Sequence, residues 1–346
     1  MVMLTLTALL VLPGAIVGAA ARLPLRLTVG TSVPVSFGVA ALASYVYGRL
    51  GVTWSLAAYA VATVVAAAVV GAVGLLIAGV AWLRRRRWRQ TRADGSPPTP
   101  GAARPRPAKW WLLPGAAVLV SAWLIGQMIL TELSATAGGT ENIFQGWDAH
   151  WHATYIRFIH DIGLAAPDQA GELRHPETGA SLYYPSTWHA VAALVMWLRG
   201  IGAVETYNLV QIGSVALAFP LGVAALAWLF THRRFAPPVV ATAAAVAAMA
   251  TPLFPGLPFV EVMVAATPSA VANGLAGLVA ATVVAATRDR RLIPVAALGL
   301  VGISGVHPSA MFTAGVIVLF WWVFEGLWRP VRGRLRDFAV LAGIGL

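Results

Sequence analysis

Long apolar runs, broken at short intervals by polar or basic residues, recur along almost the whole chain. They lie at 3–21, 27–47, 57–83, 111–131, 207–230, 237–254, 264–287, 292–306 and 309–327. A tenth begins near 338 and continues to Leu346, which suggests that the protein extends further. Crossing a bilayer takes roughly 17–25 apolar residues. Lipid gives the backbone no hydrogen-bond partners, so such runs are expected to be helices. The pattern predicts an all-α, polytopic transmembrane bundle, with 292–306 short enough to be tilted or partly re-entrant. The first 21 residues lack a basic leading segment and a small-residue cleavage site, and read as a retained span.

Two stretches interrupt this pattern and divide the chain. Residues 1–83 hold three spans, 84–110 form a basic, proline-rich loop, and 111–346 form a core carrying one long polar loop, 132–206. The linker 84–109 has four consecutive arginines, five prolines and no apolar periodicity, and reads as a solvated, disordered cytoplasmic loop. Loop 132–206 holds eight of the thirteen acids and five of the seven histidines, with only three arginines. Span 111–131 should deliver it to the outer side.

Composition agrees with a membrane protein and narrows the chemistry. Hydrophobic residues make up 59% and charged residues 11%, with mean hydropathy +0.76; soluble domains carry about 25% charged residues. The net charge of +11 comes from arginines at the ends of apolar runs, where it reports topology, not nucleic-acid binding. Lys109 is the single lysine, and with the alanine excess this suggests a GC-rich bacterial genome and a plasma-membrane location. The absence of cysteine removes disulfides, thiolate metal sites and cysteine nucleophiles.

Charge also decides the ambiguous stretch 186–199, STWHAVAALVMWLR. If it does not span, the basic residues divide 20 inside and 4 outside; if it does, they divide 12 and 12. The positive-inside rule selects the first. The stretch is therefore expected to be a re-entrant or juxtamembrane helix on the outer side, beside a cavity.

The candidate chemistry centres on FQGWDAHWHATYIRFIHDIG, Phe144 to Gly163. Asp148, His152, Tyr155 and Ile159 share one helical face, and Gly163 suits a C-cap. Asp148 has two open readings: a charge favoured by the helix dipole, or a general base or metal ligand. A divalent metal held by Asp148, His152 and His189 is one candidate set, with His175 or His307 as other third ligands. In LYYPSTWHA, Tyr184 and its neighbour Tyr183 can stack on a sugar or anchor at the interface, and Pro185 opens a helix containing His189. Ionisable groups within apolar segments are functional candidates, which adds His189, Glu261 and His307. Arg157, Arg174 and Arg199 are the outer-side cations suited to a phosphate. HExxH, P-loop, GxGxxG and GxSxG patterns are missing.

This stretch resembles the first outer loop of GT-C type membrane glycosyltransferases, most closely within large alanine-rich transmembrane proteins of high-GC Gram-positive bacteria. The resemblance rests on Asp148, Gly163 fifteen residues later, Tyr184-Pro185 opening a short helix, and a span ending in His232-Arg233-Arg234. It covers about 111–235. It departs at Ala149, where the family has a second carboxylate, and in having three spans before the loop-bearing one. The resemblance implies a GT-C-like bundle with outer juxtamembrane helices, a hexosyl- or pentosyltransferase moving sugar from a polyprenyl-phosphate donor to a cell-envelope glycan or lipid acceptor. Asp148 would be the base, and His152, Tyr155, Arg157, Arg174, Tyr184, His189, Arg199, Glu261 and His307 would bind substrate. A lipid-linked glycan flippase and a catalytically silent scaffold of the same fold are the competing expectations.

Overall fold

The apolar runs fold as helices. A computed structural model describes residues 1–91, 109–143, 146–254, 256, 258–328 and 334–345, and most of the linker expected to be disordered lies outside them. In chain order the helices are α1 (Val2–Ala20), α2 (Leu25–Gly30), α3 (Ser32–Leu50), α4 (Leu56–Thr91), α5 (Leu112–Ser134), α6 (Trp147–Ile162), α7 (Ala170–Arg174), α8 (Thr187–Arg199), α9 (Ala203–Thr231), α10 (Pro237–Ala250), α11 (Phe259–Met263), α12 (Thr267–Ala286), α13 (Ile293–Val306), α14 (Ser309–Trp328) and α15 (Arg334–Gly345). Among the described residues the sole β feature is an isolated bridge between Gln169 and Leu182.

Among the described residues, five helical segments are long and apolar enough to cross a membrane: α1, Leu56–Val80 of α4, Lys109–Ser134, α9 and α12. Two expected spans are divided differently. The run 27–47 breaks at Thr31 into α2 and α3, and the run beginning at 264 starts as a helix only at Thr267, which leaves α11 outside it.

Burial orders the bundle. Of the apolar window of α12, 78% is buried, against 11% for α4, so α12 lies at the centre and α4 at the lipid-facing edge. Small residues let the central helices touch backbone to backbone, the packing mode available where lipid removes the hydrophobic drive between helices. A Cβ on Gly222 of α9 would sit 1.7 Å from the Gly274 carbonyl oxygen of α12. A Cβ on Gly302 of α13 would sit 2.1 Å from the Pro34 carbonyl oxygen, and one on Gly38 would sit 2.1 Å from that of Leu298.

The loops sort into two ends. Arg49 pairs with Asp168 at 2.7 Å, the Trp54 amide donates to the Gly163 carbonyl at 2.8 Å, and Arg199 reaches Met1 Sδ at 3.8 Å. These contacts gather the start of α1, the α3–α4 turn and the long polar segment at one end, with Arg49, Arg157, Arg174 and Arg199. At the opposite end Arg291 donates to the Arg22 carbonyl, while Arg233 and Arg234 flank Glu325 at 2.9 and 3.6 Å.

Helix α8 does not cross between these ends. Its first residue, Thr187, lies against Gly305 near the end of α13, and its last, Arg199, lies against Met1, both at the Asp148 end. It runs across that end, roofed by α6 and supported by α1, α3, α9 and α13.

Two outcomes follow. Single cysteines placed in this cysteine-free chain at Glu177 and Gly202, before and after α8, should be labelled by a membrane-impermeant reagent from one side, and one at Arg288 from the other. Gly302→Ala should cost about 2 kcal/mol through forced backbone separation, whereas Gly74→Ala, with nothing within 4 Å of the new Cβ, should be neutral or stabilising; thermal midpoints in detergent measure both.

Candidate functional site

Helix α6 is bounded by two glycines. Gly146 supplies an extended N-cap, and Gly163 ends the helix at φ +77°, its N–H donating to the Ile159 carbonyl at 2.9 Å. That φ is cheap only for glycine. The apolar side lies down on α8: Ala149, His152, Ala153, Tyr155, Ile156 and Ile159 are buried. Asp148 is exposed in the first turn, as is His150. The face expected to carry Asp148, His152 and Tyr155 together is therefore split, with Asp148 at the rim and the other two beneath it.

From Thr187 to Met196 every residue of α8 is buried. Its polar groups need internal partners, because an unpaired buried polar atom is costly. Trp54 donates through its indole to the Ala190 carbonyl at 2.9 Å, Trp188 donates to Ser214 Oγ at 3.1 Å, and Ser186 donates to the Ala165 carbonyl at 2.6 Å.

His189 meets His152 across the α6–α8 contact, with 2.8 Å between His189 Nε2 and His152 Nδ1. His152 Nε2 lies 3.1 Å from the Ala265 carbonyl oxygen. A carbonyl only accepts, so His152 carries its proton on Nε2. Its Nδ1 then accepts from His189 Nε2–H, and a neutral pair has this one tautomer arrangement. His189 Nδ1 is left as a buried acceptor without a formed hydrogen bond, although the Pro185 carbonyl lies near enough to favour a protonated ring.

Aromatic rings close the surroundings. Tyr155 lies 4.9 Å and Tyr184 5.7 Å, centroid to centroid, from His189; Tyr207 stacks 6.0 Å from His152, and Trp151 lies 5.3 Å from Tyr184. Burial pushes His152 down to about 4, against the opposing pull of the Asp148 charge and the Ala265 carbonyl. His189 is lowered for the same reason, with the neighbouring imidazole adding to it. Burial raises Tyr184 to about 12, and Asp148 adds to this. The Asp148 charge thus acts on the groups below it, while Asp148 itself has no ion-pair or hydrogen-bond partner among the described residues.

The three candidate cations separate. Arg174 stacks on Trp147, the residue before Asp148, its guanidinium carbon 4.9 Å from the ring centroid. Arg157 is exposed and pairs with Asp161 on its own helix, which, after His160, holds that carboxyl below its usual range. Arg199 lies at the far end of α8 against Met1. His307 is half-buried, with Nδ1 2.8 Å from Ser309 Oγ, and its charge also opposes protonation of His152. Glu261 belongs to α11, and its side chain lies outside the described residues.

The metal set read from the sequence does not form. Among the described residues no three His, Asp or Glu side chains come together as ligands. Both nitrogens of His152 are spent on His189 and Ala265, and Asp148 stands outside the pair.

Other polar residues of this end were not singled out in the sequence. Asn208 donates to the carbonyls of Thr140 and Asn142, Gln211 Nε2 donates to Asn208 Oδ1, and Thr267 donates to Gln211 Oε1 at 2.7 Å. This chain ties α9 to the segment entering α6 and to the start of α12. The available signal was polar side chains at i and i+3 within an apolar span. A separate cavity of about 460 Å³ opens at the same end, lined mainly by apolar groups including Leu42, Tyr45, Leu300 and Tyr183, with Thr187 and Ser304.

The depressed His152 value has a pH consequence. The folded protein binds a proton there less readily than the unfolded chain, so this stabilisation is complete above about pH 6.5 and is lost as pH falls toward 4. The full loss is on the order of 3 kcal/mol. The thermal midpoint should fall as pH drops from 7 to 4.5, and His152→Gln should reduce that dependence to the part that the equally buried His189 contributes.

No curated protein and no solved structure matches the chain. Residues 7–346 match the model of DUF6541, a family of unknown function, and over nearly the whole length of the chain that match makes it a member of this family.

Proposed function

We propose that the chain is a membrane glycosyltransferase that takes a sugar from a polyprenyl-phosphate donor at the outer face and passes it to a hydroxyl of a cell-envelope acceptor. Asp148 is the general base in this reading. The observation that carries it is an exposed carboxylate without a cationic partner among the described residues, set over a buried aromatic and imidazole floor. A salt-bridged carboxylate is a poorer base; Asp148 is free to accept a proton from an acceptor hydroxyl placed within hydrogen-bond reach.

Further features support the reading. Arg174, stacked on Trp147, the residue before Asp148, is the cation best placed for the donor phosphate. Arg157 is engaged by Asp161, and Arg199 lies at the remote end of α8, so neither shares this position. Tyr184 and Trp151 offer ring faces near the rim for a sugar. The 460 Å³ crevice between α3, α13 and α14 suits the lipid part of a donor. The four-against-twenty division of basic residues between the two ends favours an outward-facing Asp148 end.

Ala149 favours a second reading. It is fully buried, so a carboxylate at this position would face the protein interior instead of substrate. Either Asp148 acts without the partner typical of GT-C enzymes, or the site is a catalytically silent scaffold. Purified protein in vesicles containing polyprenyl-phosphate sugars distinguishes the two. Asp148→Asn is expected to lower transfer by about 10²- to 10⁴-fold with an unchanged thermal midpoint, and Arg174→Gln to raise the donor KM. Full transfer by Asp148→Asn removes the base assignment. Binding of donor without transfer by the wild type leaves the scaffold.

A further inference from the structure

The short helix α11 has an unusual ending. The residue after its C-cap, Ala265, has φ +60°, the left-handed conformation that commonly terminates helices and that glycine adopts freely. Alanine adopts it only against steric opposition. Ala265 is also 1% exposed, so its Cβ is packed in the core, and its carbonyl receives the Nε2–H of His152. The strained residue and the buried imidazole are thus partners, 113 positions apart in the chain.

Apart from this bond, α11 is held on one side, by Val262 packed against the core and by the buried Pro258 before it. Its five residues are too few for a stable helix on their own. Val260, Met263 and Val264 are exposed, Met263 at 70%, so that side has no protein packing. The amide of Val264 returns to the Val260 carbonyl at 2.9 Å and that of Ala265 to the Val262 carbonyl at 3.2 Å, which closes the last turn of this single-turn helix. On the other side His152 is itself fixed by His189, whose Nε2–H occupies Nδ1 and leaves the Nε2 proton nowhere but toward Ala265.

We propose that His189 and His152 form a two-imidazole latch that fastens the α11–α12 junction onto α6. His152 is the positioning residue: it holds Ala265 in its strained conformation and thereby places the end of α11 against α6. His189 sets the tautomer that lets it do so. Opening the latch frees Ala265 to relax and α11 to leave α6, and a five-residue helix without that support frays. The latch is independent of which reaction, if any, Asp148 serves.

Side-chain amides test this by geometry. A glutamine at 152 can put its NH₂ where Nε2–H lies, and an asparagine can reach only the Nδ1 position. Hydrogen exchange of the full chain in lipid nanodiscs should show Val264 and Ala265 exchanging about tenfold faster in His152→Asn, the change expected for loss of one such bond. α9 and α12 should be unchanged. His152→Gln should exchange like the wild type. Adding Ala265→Gly to His152→Asn should slow exchange again, because glycine does not gain by leaving the left-handed region. The proposal is overturned if His152→Asn leaves the α11 amides protected, if it raises exchange throughout the bundle, or if Gln and Asn behave alike. A dye on Met263→Cys gives a second readout that does not need amide resolution: its emission should shift with His152→Asn and not with His152→Gln, and an unshifted spectrum counts against the latch.

Discussion

A thirteen-residue helix whose residues from Thr187 to Met196 show no exposed side has to be enclosed by protein on every side. Helix α8 is too short to cross a bilayer and too apolar to lie in water, and the rest of the Asp148 end answers that constraint. α1, α3, α9 and α13 form its floor, and α6 forms its roof. Enclosure in turn demands partners for the polar groups the helix brings in, and Trp54, Ser214 and the Ala165 carbonyl supply several of them. His189 is the most expensive passenger, and its partner is another histidine.

The pairing of two imidazoles, rather than an imidazole and a carboxylate, sets the character of the site. A carboxylate would stabilise a charged ring; a second imidazole in a buried setting keeps both neutral and leaves one tautomer arrangement. The negative charge of this end is instead placed at the rim, on Asp148, where water solvates it. Two layers result: an exposed acid with Arg174 nearby, over a neutral, aromatic, hydrogen-bonded floor.

The sequence features read after Asp148, namely the helix ended by Gly163, the Pro185 entry to a short helix and the following long span, appear as helices and turns at the residues concerned. The alanine at 149 beside Asp148 has a structural reason. That position faces inward on α6, between Asp148 at the rim and His152 below, and packs in the core. A second acid there would need burial without a cation, so the pattern of α6 accommodates one carboxylate and not two.

Hydropathy and charge are local properties, which is why so much of the fold was legible without coordinates. Apolar runs gave the helices because a backbone in lipid has no alternative, and Gly163 gave the end of α6 through its left-handed φ. Boundaries were missed where a local break was not apolar in kind, at Thr31 and before Thr267. What the tertiary structure alone decided was which side chains meet. The i, i+4 spacing put Asp148 and His152 on one face, but packing against α8 buried one and exposed the other. The metal set failed because His152 spent both nitrogens on groups 37 and 113 residues away, Ala265 being a backbone carbonyl in a residue with no chemical signature. Contacts of that length depend on how helices cross, and the crossings depend on glycines touching backbones in other helices, a pairing that no single stretch of chain contains.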